Sequence, residues 1–302
     1  MISRIYVWVR AVRANQWTKN ALVFLGWLFA VADPSQAAHA RGWAPLLLVS
    51  AMAMSFCLLS SAFYLLNDVA DYRADRLHPV KRRRPVAAGE IEPIDAVRMA
   101  LAFFAAGLLY PCFLVFRHPD RTWGFAVLLI YALMQCAYSG LLKRIPYLDV
   151  VVIAAGFVLR AIAGAAATDV RISPWLLICA FLLSLFLALS KRRHEKIVAE
   201  DSREALKGYH PVILDGLIAL AAAATVGAYM WYTLSEDTLS RFGTRKLAFS
   251  AIFVALGIVR YLFLVYGKGD VGRPEKVLLS DKLMWMIILG YGASVTLALY
   301  LK

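Results

Sequence analysis

Asp68, Asp71 and Asp75 fall in the stretch LLNDVADYRADRLHPVKRRRPVAAG, residues 65–89, just where a long apolar segment ends and just before the four cations Lys81 to Arg84. If the segment continues as helix past Asn67, spacings of three and seven residues put Asp75 about 20° and Asp71 about 60° from Asp68 around the axis. Three carboxylates on one face repel one another, and the partial negative charge of a helix C-terminus adds to the repulsion. A divalent cation reverses both effects. Carboxylates and water are the ligands magnesium prefers, and it commonly shares them with substrate phosphates. The competing reading is a solvated acidic helix end whose aspartates pair with Arg73, Arg76 and the cations that follow. A polar face beside the bilayer is costly unless used, which favours the metal.

The elements that must position these groups are membrane spans. Hydrophobic residues make up 61% of the 302, and the mean hydropathy is +0.65, far from a soluble composition. Stretches long enough to cross a hydrocarbon core of ~30 Å recur at 21–32 (or from 14), 44–66, 93–116, 122–142, 149–167, 174–190, 211–235, 246–267 and 283–301. The expected architecture is all-α, with nine transmembrane helices. Segments 1–20, 67–92, 143–148, 191–210 and 268–282 hold 4, 6, 2, 6 and 4 of the chain's 33 Lys and Arg. The positive-inside rule therefore places the N-terminus and the aspartates on the cytoplasmic side of a plasma membrane.

The net charge of +13 reads as topology and anionic lipid contact, with the bilayer rather than nucleic acid as partner. Residues 1–20 lack an uninterrupted apolar core and do not read as a cleaved signal. Ile5, Trp8, Val9 and Val12 have the spacing of an interfacial amphipathic helix. Cys57, Cys112, Cys136 and Cys179 lie in apolar spans without paired spacing and read as core residues. No linker or repeat divides the chain, so one integral-membrane domain is expected over 1–302. Its amphipathic segment is 1–20, and its long charged loops, 67–92 and 191–210, hold the chemistry.

NDVADYRAD, Asn67 to Asp75, resembles the N-D-x-x-D-x-x-x-D signature of the UbiA-type intramembrane prenyltransferase superfamily, and Tyr138 to Ala165 is similar to that superfamily's fourth-to-fifth helix region. The resemblance implies a nine-helix bundle with a cytoplasm-facing polar cavity that binds a magnesium diphosphate. It departs at the second acidic motif, where members that prenylate aromatic acceptors carry D-x-x-x-D. Here that place reads LSKRRHEKIVAED, with Lys191, Arg192 and Arg193 first and Glu195 the nearest acid. This feature, with RANQWTKN at 13–20, resembles the decaprenyl-phosphate phosphoribosyltransferase branch. That branch moves 5-phosphoribose from phosphoribosyl diphosphate to a polyprenyl phosphate, for cell-wall arabinan and arabinogalactan synthesis.

Charge arithmetic agrees, because a donor with a diphosphate and a 5-phosphate, plus a lipid phosphate, brings three anionic groups that call for a metal and many cations. A phosphate monoester has its second pKa near ~6 and needs no strong general base, so positioning and electrostatics carry the reaction. The resemblance implies magnesium on Asp68 and Asp71, with Asn67 as ligand or supporting partner. Asp75 is left to the metal, the ribose hydroxyls or the developing positive charge. It further implies Tyr138 and Lys143 on phosphate, and Arg83 and Arg84 on diphosphate through the R-P-x-x-x-G element completed by Pro85 and Gly89. Lys191 and Arg192 fall to the 5-phosphate, although Lys191 and Glu195 could instead pair at i, i+4. Gln16 and Lys19 fall to the lipid phosphate or ribose, and Trp17 reads as an interfacial anchor. Arg160 sits about 16 Å into its span; it either lines a wet cavity and contacts substrate or ties helices together. His194 and His210 read as loop residues, while His39, His78 and His118 have no assigned role.

Three alternatives remain in view. An aromatic prenyltransferase of the same fold is disfavoured by the weak second acidic motif. A CDP-alcohol phosphatidyltransferase expects D-G-x-x-A-R, whereas Tyr72 follows Asp71. An anion transporter would share the intramembrane arginines but would need no magnesium. Lipid chain length and self-association are left open by the sequence.

Overall fold

The computed structural model describes residues 2–117, 122–198, 206, 208–267 and 280–300, and these contain helices and turns but no strand. The expected charged segments 191–210 and 268–282 therefore lie partly outside the described residues, as does His118. The helices are α1 (Ile2–Ala11), α2 (Leu25–Ala32), α3 (Ala37–Ala40), α4 (Trp43–Ala70), α5 (Tyr72–Leu77), α6 (Pro93–Arg117) and α7 (Thr122–Gly140). They continue as α8 (Leu148–Ala167), α9 (Pro174–Val198), α10 (Pro211–Leu234), α11 (Glu236–Phe242), α12 (Ala251–Tyr266) and α13 (Lys282–Tyr300). Prolines open α6, α9 and α10, where the missing N–H removes no helical hydrogen bond. α11 starts where the Ser235 hydroxyl accepts the Thr238 N–H and stops at Gly243 with φ +67°, a left-handed cap that glycine adopts without strain.

Eight helices among the described residues are long and apolar enough to cross a membrane, one fewer than the nine α-helical spans expected. The difference lies in the first. Ala14–Phe24 winds as a 3₁₀ helix of 11 residues, and only the 8 residues of Leu25–Ala32 are α-helical. A 3₁₀ winding rises about 2.0 Å per residue, so 11 residues cover about 22 Å and α2 adds about 12 Å. Hydropathy reports apolar length and is blind to winding.

The chain packs as two compact units. The first comprises Met1–Trp27, Gly42–Ser139 and Leu159–Val170, and the second Leu28–Arg41, Gly140–Val158 and Arg171–Lys302. In the first, α4 lies along α6. Gly107 of α6 meets Leu59 and the Ser55 carbonyl so closely that an added Cβ would stand 3.1–3.2 Å from them. Small residues at such contacts suit helices in lipid, where association depends on close packing. Trp8, Ala11 and Val12 join a core with Ala62, Leu65, Val86 and Ile91, while Ile5, Tyr6 and Val9 are exposed. The expected apolar face of α1 is thus divided between protein and, for a helix on the membrane surface, lipid. In the second unit α9 packs on α10, α10 on α12, and α12 on α13, around Phe186, Leu189, Leu214, Ile218, Ile258 and Tyr261.

Candidate functional site

In the first unit the aspartates gather at the end of α4, with a geometry that differs from a continuous helix. α4 stops at Ala70. Asp71 caps it at φ −96°, ψ 1° with its N–H on the Asn67 carbonyl, and α5 then begins at Tyr72. Asp68 and Asp75 are buried, at 2% and 3% exposure. They converge on one guanidinium nitrogen: Arg84 Nη1 donates to Asp68 Oδ1 at 3.2 Å and to Asp75 Oδ2 at 2.7 Å. Arg13 Nη2 also reaches Asp68 Oδ1, at 2.5 Å. Asp71 is only half-buried at the bend. Among the described residues no three acidic, histidine or cysteine side chains meet as a metal-binding group, so the expected triad is drawn together as a pair. The break after Ala70 accounts for this, since it turns the chain at Asp71.

A divalent metal fits this pair. Both carboxylates already reach one positive point, Arg84 Nη1, and an all-oxygen donor set is the kind magnesium takes. The basic loop over the pair is held in place by its own contacts. Arg10 donates to the Arg83 carbonyl at 2.7 Å and to Glu90 at 3.1 Å, and Arg76 donates to the Ala87 carbonyl at 3.1 Å. Gly89 supplies the φ of +76° that the turn requires. The Arg83 side chain is exposed.

Gln16 and Lys19 form a second group beside the pair. Gln16 Oε1 accepts from Tyr64 at 2.8 Å and from Lys19 Nζ at 3.0 Å, and the Arg13 guanidinium lies 4.7 Å from the Tyr64 ring centroid. Deeper in the same unit, Arg160 Nε donates to Asn20 Oδ1 at 2.7 Å and Nη2 donates to Tyr131 Oη at 2.8 Å. Arg160 also faces the Tyr131 and Phe56 rings at 4.7 and 5.5 Å. Neutral oxygens and aromatic faces thus hold this cation, without a carboxylate at these contacts.

The second unit gathers Lys191, Arg192 and Glu195. Arg192, 3% exposed, donates Nε to Asp149 Oδ2 at 2.8 Å and Nη1 to Glu195 Oε2 at 2.5 Å. Lys191 Nζ lies 3.9 Å from Glu195 Oε1, so the i, i+4 pairing does form. The Tyr209 hydroxyl donates to Asp149 Oδ1. Burial and that hydrogen bond hold the Tyr209 phenol above its usual pKa, so it remains a donor. Lys196 Nζ donates to the Leu206 and Tyr209 carbonyls at 2.9 and 2.6 Å. Nearby, Arg193 donates to Asp215 at 2.7 Å and stacks on Tyr266 at 3.9 Å.

Tyr138, at the end of α7, and Lys143, in the turn before α8, are half-buried. Asn67 is half-buried in the last turn of α4. Sequence reasoning passed over Arg13, Tyr64, Asn20, Tyr131, Asp149 and Tyr209. Arg13 and Asn20 did carry a signal, lying within the quoted stretch RANQWTKN. Asp149 and Tyr209 carried none, because 43 residues separate Asp149 from Arg192 and 60 separate it from Tyr209.

The UbiA prenyltransferase family matches residues 22–289. A decaprenyl-phosphate phosphoribosyltransferase of Mycolicibacterium smegmatis is 34% identical, with 97% of this chain and 92% of that protein aligned. Another of the same name, from Corynebacterium glutamicum, is 33% identical over 97% of this chain and 86% of its own. In fold the chain resembles a UbiA homologue from Archaeoglobus fulgidus bound to GPP and Mg2+. The TM-score is 0.70 at 17% identity, covering 96% of this chain and 99% of that one.

Proposed function

The chain belongs to the UbiA prenyltransferase family, and from that premise we propose that it transfers 5-phosphoribose from phosphoribosyl diphosphate to a polyprenyl phosphate. The observation that carries this reading is the Lys191, Arg192 and Glu195 cluster, which stands where aromatic prenyltransferases of this fold have a second pair of acids. The near full-length similarity to two proteins named for that reaction supports it.

In the reaction the C1–O bond to diphosphate breaks and a bond forms from C1 to an oxygen of the lipid phosphate. Diphosphate leaves with the electron pair. The attacking oxygen is already ionised at neutral pH, so the side chains bind, orient and offset charge. Magnesium held by Asp68 and Asp75, which already converge on Arg84 Nη1, with Asn67 and Asp71 beside them at the end of α4, would offset the charge of the leaving diphosphate. Arg84 and Arg13, paired to Asp68 in the structure, would supply further positive charge beside the diphosphate, with Arg83 at the edge of the loop. Asp75 would also offset the positive charge that develops at C1 of the ribose. Tyr138 and Lys143 are assigned to diphosphate, and Gln16 and Lys19 to the lipid phosphate. Lys191 is assigned to the 5-phosphate, while Arg192, with Nε and Nη1 on carboxylates, supports it. Arg160, with Asn20 and Tyr131, keeps a positive potential within the span. These loops face the cytoplasm of a plasma membrane, following the charge bias.

The deciding experiment incubates purified protein with labelled phosphoribosyl diphosphate, magnesium and polyprenyl phosphate. Label in the lipid extract with stoichiometric diphosphate is expected. Prenylation of a phenolic acid from geranyl diphosphate, without ribosyl transfer, would replace this reading with the aromatic one.

A further inference from the structure

Asp149 has no part in the steps above, yet it is 1% exposed and accepts two hydrogen bonds, from Arg192 Nε at 2.8 Å and from the Tyr209 hydroxyl. Resting on the phosphoribosyl-transfer reading, we propose that Asp149 is a positioning residue for the donor's 5-phosphate, acting through Arg192 and Glu195 to fix the ammonium of Lys191. The contacts form a chain. Asp149, in the first turn of α8, holds Arg192 on α9; Arg192 Nη1 holds Glu195 at 2.5 Å; and Glu195 lies 3.9 Å from Lys191 Nζ.

Stability alone gives little reason for this arrangement. A buried ion pair loses hydration that its attraction barely returns, and apolar residues of similar size often pack as well. What a carboxylate supplies here is direction. The guanidinium is a planar fork, and carboxylates on both Nε and Nη1 set its plane. Glu195, three residues from Arg192 and four from Lys191, is then fixed between two cations. Lysine by contrast is a point charge on a flexible stem, and ordering it when ligand arrives costs binding free energy. A lysine already directed by Glu195 has less to lose. Asp149 is itself held from a second side, because the Tyr209 ring packs tilted against Tyr147 at 4.5 Å between centroids and Lys196 grips the Tyr209 carbonyl.

The competing role is a plain tie between α8 and α9, which would affect both substrates alike through loss of folded protein. The test compares wild type, Asp149→Asn, Tyr209→Phe, Lys191→Ala and the double variant Asp149→Asn with Lys191→Ala, all in detergent with magnesium. For Asp149→Asn the KM for phosphoribosyl diphosphate should rise roughly tenfold, the loss typical of one charge-assisted hydrogen bond, and for Tyr209→Phe about threefold. Turnover number and the KM for the lipid should stay within about twofold. The double variant should be no worse than Lys191→Ala, since residues acting through one contact are not additive. Donor KM unchanged in both single variants, or a double variant whose KM effect is the product of the two, would overturn the positioning role. Should Asp149→Asn fail to fold, Tyr209→Phe decides alone. A wild type that moves no label from phosphoribosyl diphosphate overturns the reaction itself, an outcome distinct from active wild type with unaffected variants.

Discussion

Arg13 reaches Asp68 at 2.5 Å from a backbone held at φ 53°, ψ 47°, a left-handed conformation that costs a non-glycine residue of the order of 1–2 kcal/mol. The strain falls where α1 gives way to the 3₁₀ segment, and it brings the guanidinium onto the buried carboxylate. Local strain at a charged contact is a mark of sites whose geometry is set by function.

The first prediction concerns that carboxylate. Asp68→Ala removes both the proposed metal ligand and the acceptor for two guanidinium groups, so it mixes a chemical loss with a structural one. Asp68→Asn keeps an oxygen for Arg13 and Arg84 and loses the charge. Its turnover should fall by about a hundredfold or more, while thermal unfolding in detergent shifts by only a few degrees. Near-normal turnover would remove Asp68 from the metal site.

The eight long spans and the cluster at the end of α4 were legible because hydropathy and helical period are local signals. The same period that put Asp75 about 20° from Asp68 anticipates their meeting at Arg84 Nη1, although the helix in fact breaks between them. The break itself had no local mark, since NDVADYRAD contains neither glycine nor proline. Arg160 was visible as a cation deep in a span, but its partners Asn20 and Tyr131 lie 140 and 29 residues away. Only tertiary packing brings them together. The pairing of Arg192 with Asp149 was hidden for the same reason, and a run of basic residues looked like open phosphate contacts when one of them is buried against acids.

Gly164 tests the packing of the first unit. A Cβ there would stand 1.8 Å from the Val23 carbonyl oxygen, inside any permitted contact and against backbone that cannot rotate away. Gly164→Ala should cost about 3 kcal/mol or more and reduce the yield of folded protein. Gly216→Ala, at a position with nothing within 4 Å, should leave yield unchanged or slightly improved, because alanine favours helix. Equal yields of the two variants would mean that the 3₁₀ segment and α8 do not approach this closely.

Asp281 gives a pH dependence. It accepts from Arg260 Nη2 at 2.6 Å and caps α13 by accepting the Met284 N–H at 2.8 Å. The Arg260 hydrogen bond, then that of Met284, hold its carboxyl below the usual aspartate pKa. With the folded value below the unfolded one, its contribution is fully present above about pH 4 and is lost as pH falls through the lowered value. Asp281→Ala should destabilise by about 1–2 kcal/mol at pH 7. The gap in melting temperature between it and wild type should close in detergent scans below pH 4. A gap that persisted unchanged to pH 2.5 would show that the carboxylate's charge contributes nothing.

The last prediction separates phosphoribosyl from prenyl transfer through Lys191. A charge-assisted bond to phosphate contributes about 1.5–3 kcal/mol, or roughly ten- to a hundredfold in affinity, and a donor without the 5-phosphate would forfeit it. Wild type should therefore prefer phosphoribosyl diphosphate to ribosyl diphosphate by at least that factor in kcat/KM. Lys191→Ala should lose most of the preference while its KM for the lipid phosphate stays unchanged. The comparison is internal to each variant, so a partly unfolded preparation lowers both rates without altering their ratio. Lys191→Asp would restore an acid at the place where aromatic prenyltransferases carry one, yet it should not prenylate a phenolic acid from geranyl diphosphate. Glu195 would then complete D-x-x-x-E, but its carboxylate is already held by Arg192 at 2.5 Å and is not open to a second metal. Equal use of the two ribosyl donors by wild type would take the 5-phosphate away from Lys191. A raised lipid KM in Lys191→Ala would move the residue to the acceptor side of the reaction.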